Sequence, residues 1–319
     1  MKAIVLYGPR KLEVTGTSVP VLPRGWVLVK TELVGICGTD KAFYTGTYKL
    51  LKTPLIPGHE VVGVVVEGSE ELKGKRVVPE INFPCGKCEY CRLGLYTHCT
   101  GKKTLGIDLD GGMAEYFIAP VEALHVYPGP PEMGIFVEPL AAVLRALMLR
   151  PPKPGDKVAV IGTGNLAWLV VQALKKLYEL HVELVVREGS VKAKHFKDLV
   201  DGIVHSSELV ESTYDVVFEV SGDPNALNTA IRLVKPRGII HLKSTPGTGA
   251  HANMTSMVVK EAEIVCSRCG TFREFKYAVK LLVGGKVVPR LDRVYKLDDG
   301  REAFEESLKP EYFKVAIRA

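Results

Sequence analysis

The stretch Lys157-Val158-Ala159-Val160-Ile161-Gly162-Thr163-Gly164-Asn165-Leu166-Ala167 decides how this chain is read. Its first half is a short apolar run, the pattern of a strand buried on both faces of a parallel sheet. Its second half is a glycine turn. Beyond the turn Leu166, Leu169, Val170, Ala173, Leu174 and Leu177 recur at helical spacing and form one apolar face. Strand, glycine turn and amphipathic helix in succession give the G-x-G-x-x-A pattern its meaning as a dinucleotide-binding fingerprint. Gly162 permits the turn, Gly164 lets the backbone approach a pyrophosphate, and Ala167 stands where a third glycine often does. Asn165 and Leu166 open the helix whose N-terminus would face the phosphates.

The rhythm continues downstream. Val182 to Val186 reads as the next strand, and Val216 to Val220 as another, leading through Ser221-Gly222-Asp223-Pro224 into a helix. There Asp223 is the expected N-cap and Pro224 the first-turn residue. Gly238 to Leu242 and Glu263 to Cys266 are later strands. Such alternation predicts a doubly wound parallel α/β sheet.

Upstream the signals change. From Met1 to about His125, β-branched runs such as Val27-Leu28-Val29, Val61 to Val66 and Arg76-Val77-Val78 are punctuated by Gly and Pro, which predicts a turn-rich β domain. Leu140 to Leu149 is helical and is closed by Pro151-Pro152-Lys153-Pro154-Gly155. After Gly270 a mixed segment ends in Lys314-Val315-Ala316-Ile317, too short for a third domain and expected to rejoin the first. The expected division is 1–140, 141–268 and a return over 269–319.

The 319 residues suit two domains. With 46% hydrophobic and 24% charged residues the composition is that of a globular protein, not a disordered or fibrous one. No apolar run approaches the roughly 18 residues of a membrane span, and the start lacks a secretory core, so a cytoplasmic protein with no membrane partner is expected. The net charge of +6 is scattered, and the nearest things to a cluster, Lys102-Lys103 and Lys175-Lys176, are too small to make a case for nucleic acid.

Seven cysteines, four of them between positions 85 and 99, argue for metal-bound thiolates and not a disulfide framework. Cys85-x2-Cys88-x2-Cys91-x7-Cys99 is sufficient to close a tetrahedral zinc cage, with no position left for substrate, so the role is structural. A second constellation is dispersed: Cys37 in Gly35-Ile36-Cys37-Gly38-Thr39-Asp40, then Gly58-His59-Glu60, then Val137-Glu138-Pro139-Leu140. A thiolate, an imidazole and a carboxylate from three segments suit an open zinc site, although each taken singly reads more readily as packing.

The order of these elements, from Cys37-Gly38-Thr39-Asp40 through Gly58-His59-Glu60-Val61-Val62-Gly63 and the four-cysteine lobe to the strand and glycine turn, resembles the zinc-dependent medium-chain dehydrogenase/reductase family over nearly the whole chain. Glu138-Pro139-Leu140-Ala141 is most similar to the polyol, threonine and sugar dehydrogenase branch. The resemblance implies a GroES-like β domain followed by a Rossmann domain and a return to the first. It implies two zinc ions per chain, the catalytic one held by Cys37, His59 and Glu138, with Glu138 binding directly or through water. Glu60 would be an exchangeable ligand or a supporting carboxylate. Asp40 would accept the free ring N–H of His59, and Thr39 would bond the substrate oxygen and take its proton. It implies hydride transfer between an alcohol, polyol or sugar hydroxyl and NAD(P), in a homodimer or homotetramer.

Two positions depart from the family's pattern. About 20 residues past the turn an NAD enzyme carries an acid for the ribose hydroxyls; here Arg187 stands there, which suits the 2′-phosphate of NADP. Glu188 is adjacent and would serve the ribose instead, and Lys192 and Lys194 lie nearby. The other departure is Ala42, where a histidine proton relay is usual, leaving Thr39 and the nicotinamide ribose as the route. Phe43, Tyr44 and Tyr48 are expected to wall the substrate pocket. Cys266-x2-Cys269 reads as packing, and His98 as a bystander to the cysteine cage. A zinc-free quinone or enone reductase would have no use for Cys37, His59 and Glu138; a zinc-ribbon binding module would need clustered basic and aromatic residues around Cys85 to Cys99.

Overall fold

The computed structural model describes residues 1–245 and 247–319. The chain divides into two units: 1–141 with 269–284 and 291–319, and 142–268 with 285–290. In the first, β1 (Lys2–Gly8) and β2 (Lys11–Gly16) form an antiparallel pair. The β-branched runs become β3 (Trp26–Gly35), β4 (Glu60–Glu67) and β5 (Arg76–Pro79). Between β3 and β4 lies helix α1 (Gly38–Thr45), stopped by Gly46 at φ 82°. The two-residue strands β6 (Asn82–Phe83) and β7 (Lys103–Thr104) pair with each other on either side of the cysteine lobe, followed by β8 (Tyr116–Pro120) and β9 (Leu124–Val126).

Helix α2 (Val137–Leu149) starts three residues before the expected Leu140, which places Glu138 in its first turn. Pro139 does not prevent this, because first-turn N–H groups have no helical acceptor to lose.

The second unit holds six parallel strands: β10 (Lys157–Ile161), β11 (His181–Val186), β12 (Gly202–His205), β13 (Tyr214–Glu219), β14 (Val234–Leu242) and β15 (Glu263–Cys266). Their order is β12-β11-β10-β13-β14-β15. The order reverses between β10 and β13, the switch point at which such sheets bind ligands. Helices α3 (Asn165–Leu177), α4 (Ala226–Leu233) and α5 (Met254–Lys260) connect the strands. Asp223 does not cap α4. Its Oδ1 accepts from the N–H of Asn225 at 2.9 Å, closing a local turn, so the helix begins only at Ala226 behind an Asn225 cap.

The chain then returns to the first unit through α6 (Phe272–Val283), β16 (Arg293–Lys296), α7 (Gly300–Ser307) and β17 (Val315–Arg318). β17 pairs with β3, so the main sheet runs β16-β17-β3-β4-β5-β9, with β8 also on β3. Val27, Val29, Val34, Val61, Val65, Phe117, Phe304 and Ile317 form its core, each buried aliphatic or aromatic side chain contributing about 1.5–3 kcal/mol before entropy. Among the described residues no helix is long and apolar enough to cross a membrane.

Candidate active site and metal centres

The dispersed site is assembled by strand register. Gly35, the last residue of β3, lies opposite both Glu60, the first of β4, and Ala316 in β17. Three strand ends therefore meet where β3 leaves toward Cys37, β4 enters from His59, and β17 follows Lys314. A Cβ at Gly35 would lie 2.7 Å from Glu60 Oε2 and 3.3 Å from Lys314 Cδ, so any larger residue there displaces the Glu60 carboxylate. The ligand atoms of Cys37, His59 and Glu60 all lie within 4.8 Å of one another. Glu60 also forms a buried ion pair with Lys314, whose Nζ donates at 3.3 Å to the Ile36 carbonyl.

This group is electrostatically loaded. Burial pushes the Cys37 thiol up, and Glu60 adds to the effect while His59 opposes it. Burial works to lower His59, but Cys37 and Asp40 outweigh it and hold the imidazole well above its usual value. Lys314 is likewise raised: burial opposes its charge, and Glu60 and Cys37 overcome that. Nδ1 of His59 is buried with no hydrogen-bond partner, a cost that folded proteins rarely carry without compensation. Thiol, imidazole and carboxylate are zinc donors, and a divalent cation among them reverses the cost of ionising the thiol. The residues fit the metal.

Asp40 departs from expectation. The sequence predicts it as the acceptor of the His59 ring N–H. Its carboxylate instead takes backbone donors, Cys37 N at 2.8 Å and Gly58 N at 3.4 Å. It thereby fixes the backbone beside both Cys37 and His59 without touching the ring nitrogen left unpaired. Burial pushes its carboxyl up. Glu138 is buried and acts electrostatically on His59, but lies outside the tight three-residue group. Thr39 is exposed to intermediate degree in the first turn of α1. Phe43 and Tyr44 do not wall a pocket. Both belong to the hydrophobic core, Tyr44 with its hydroxyl donating to Glu305 at 2.5 Å. Their place on α1 faces them inward; Tyr48, past the helix end, is exposed.

Lys314 is the residue that sequence reasoning passed over. The available signal is a lysine at the head of the apolar run Val315-Ala316-Ile317, where burial demands a partner.

The cysteine lobe is local by contrast. Cys85, Cys88, Cys91 and Cys99 bring their sulfurs within 4.8 Å of one another, and His98 stays outside the group. Cys88 Sγ lies 3.5 Å from Cys91 Sγ, and Cys85 N donates to Cys99 Sγ at 3.3 Å. The backbone N–H of Cys91 brings the Cys88 thiol down to about 6, as a zinc ligand requires. Desolvation and the Cys88 thiol push Cys91 up. All four sulfurs face one another, so the cage is closed.

In the second unit Gly162 adopts φ +122°, and a Cβ on it would come within 2.9 Å of Ser221 Cα. A Cβ on Gly164 would meet open space, leaving room for a ligand at the N-terminus of α3. Ala167 is fully buried, as close helix–strand packing demands, and Asn165 and Leu166 begin the helix at half-buried positions. Arg187 extends into solvent, with its guanidinium 3.7 Å from Asp223.

Comparison with known proteins gives the same answer in both units. Residues 23–129 match the alcohol dehydrogenase GroES-like domain and residues 170–284 the zinc-binding dehydrogenase family. The chain is 32% identical to L-threonine 3-dehydrogenase of Pyrococcus abyssi, over 96% of this chain and 93% of that one. It is 29% identical to D-arabinitol dehydrogenase 1 of Uromyces fabae, over 100% and 97%. Among solved structures, a dehydrogenase from E. coli CFT073 complexed with NADH superposes with TM-score 0.90 at 25% identity, covering 100% of this chain and 99% of that one. A zinc-binding dehydrogenase from Sinorhizobium meliloti 1021 bound to NADP gives 0.90 at 27%, with the same coverage. With a structural four-cysteine zinc site, a Cys/His/Glu zinc group and a six-strand parallel sheet in one chain, this protein belongs to the zinc-containing medium-chain alcohol dehydrogenase family and is an NAD(P)-dependent dehydrogenase of alcohols or polyols.

Proposed function

We propose that the enzyme oxidises a hydroxyl of a polyol or sugar, or reduces the matching carbonyl, with NADP as its preferred hydride partner. The observation that carries the reading is the convergence of Cys37, His59 and Glu60 at the strand ends, with Glu138 in electrostatic reach. Polyol substrates are favoured by the Glu138-Pro139-Leu140-Ala141 signature and by likeness to an arabinitol dehydrogenase.

Bound zinc supplies a Lewis acid that favours the ionised alcohol, and the nicotinamide supplies the hydride acceptor. The chain's own residues do the rest. Cys37 and His59 hold the metal with a carboxylate, Glu60 or Glu138, completing the set. Asp40 locks the backbone that presents both ligands. Thr39 accepts the hydroxyl proton and passes it toward the nicotinamide ribose, since Ala42 provides no histidine relay. Gly162, Gly164, Asn165, Leu166 and Ala167 receive the pyrophosphate at the start of α3. Arg187 engages the 2′-phosphate. The family resemblance further carries a homodimer or homotetramer, and the reduced thiolates fit a cytoplasmic setting.

The test is a panel of polyols, sugars and simple monoalcohols on zinc-replete protein, with NADP and with NAD. The expected result is a higher kcat/KM for a polyol or sugar than for any monoalcohol, and for NADP than NAD. Activity confined to monoalcohols would overturn the substrate assignment, and preference for NAD the cofactor assignment.

A further inference from the structure

Two neighbouring side chains after β11 point in opposite directions, and the sheet order shows where. Arg187 meets Asp223, which follows β13 on the far side of β10. To do so it crosses above the glycine turn that follows β10. Glu188 turns the other way, toward the end of β12, the outer neighbour of β11. Ser207 Oγ donates to Glu188 Oε1 at 2.6 Å, and His205 Nδ1 lies 3.5 Å from Oε2. The hydrogen bond of the Glu188 carboxylate is thus made on the side away from the glycine turn.

The backbone around the two residues is anchored on both sides. Ser206 N donates to the Val186 carbonyl at 2.9 Å, which anchors the segment after β12 beside the end of β11. On the opposite side Ser190 Oγ donates to Thr163 Oγ1 at 3.3 Å, tying the 187–190 turn to the glycine turn. With the backbone of the turn held, the direction of the Glu188 carboxylate is left to its side-chain torsions and to the Ser207 bond. An acid is therefore present one residue beyond the position where ribose-binding acids stand, and its carboxylate is engaged elsewhere.

We infer that Ser207 is a positioning residue for cofactor choice: it holds the Glu188 carboxylate away from the adenosine ribose and leaves Arg187 to select the 2′-phosphate. A carboxylate released from Ser207 would accept both ribose hydroxyls, as such acids do in NAD enzymes. It would also repel a phosphate at the same place. The inference rests on the NADP reading above, and it adds that the preference is maintained by a loop residue that never touches the cofactor.

The experiment is a double-mutant cycle on Ser207→Ala and Glu188→Gln, read as the ratio of kcat/KM for NADP to that for NAD. Ser207→Ala should lower the ratio about threefold to tenfold, mainly through KM. Glu188→Gln alone should leave it within twofold, and the double variant should return it to the starting value. A merely structural role for Ser207 would change both cofactors alike. The inference is overturned if Ser207→Ala leaves the ratio unmoved, or lowers it equally with Gln at position 188. Arg187→Asp is run alongside: if it leaves the ratio unchanged, the NADP reading itself fails, whatever the cycle shows.

Discussion

The two zinc sites of the first unit are built in opposite ways. The four-cysteine lobe takes every ligand from fifteen consecutive residues, 85 to 99, and its sulfurs face only one another. The Cys37, His59 and Glu60 group takes its ligands from the exit of one strand and the entry of another, with a third strand bringing Lys314. A local cage needs little besides its metal to form. A site at converging strand ends exists only once the sheet is in register, and in return it gains a buried, charge-loaded setting. The difference predicts that damage to the lobe is felt as stability and damage to the dispersed site as turnover.

The largest effect should come from Cys37→Ser, which removes a metal ligand where the chemistry occurs. Turnover is expected to fall by about 1,000-fold or more, with the thermal midpoint within a few degrees of the parent. Steady-state kinetics and calorimetry together check this. Cys88→Ser should show the reverse pattern. The lobe loses its cross-link, and the midpoint drops by roughly 10 °C, while the turnover of protein that stays folded changes less than about threefold. A lobe variant that kept its midpoint and lost its turnover would erase the distinction.

Gly35→Ala probes the register that assembles the dispersed site. The added methyl would collide with the Glu60 carboxylate at 2.7 Å, and the displacement should cost about 1–3 kcal/mol. Its signature is a combined loss, lower stability in denaturant and weaker zinc retention. A variant stable as the parent and fully metallated would show that Glu60 has room to move.

The smallest effect at neutral pH serves as a baseline outside both sites. His241 is fully buried in β14, stacked on Phe218 with ring centroids 4.4 Å apart, and burial lowers its pKa to about 4 from the usual 6.5. The folded protein keeps this imidazole neutral while the unfolded chain protonates it below pH 6.5. Its contribution is therefore complete above pH 6.5 and is lost as the pH falls toward 4, by about 2 kcal/mol at pH 5. His241→Leu should flatten the acid limb of stability between pH 6.5 and 4. An unchanged limb would place the acid sensitivity elsewhere.

How much is legible in the sequence follows from the same contrast. The cysteine spacing and the 157–167 strand, turn and helix are local, and each reads directly from its own residues. Cys37, His59 and Glu60 are recognisable as a set only through likeness to a family, because nothing in three separated segments states that they meet. Lys314 is not legible as part of the site. Its partner lies 254 positions away, and only the pairing of β17 with β3 brings them together. Asp40 and Asp223 show a subtler gap: each residue type suggests one hydrogen bond, and a nearby backbone N–H offers another. Phe43 and Tyr44 belong to the core because their helix turns them inward, a matter of packing that the sequence near Cys37 does not reveal.

Zinc per chain, measured on metal-replete parent protein and on Cys37→Ser, tests the account most directly. Two equivalents in the parent, falling to one in the variant, is the predicted result, the lobe keeping its ion while the dispersed site loses its own. One equivalent in both would contradict it, leaving the Cys37, His59 and Glu60 group without a metal and the dehydrogenase chemistry without its Lewis acid.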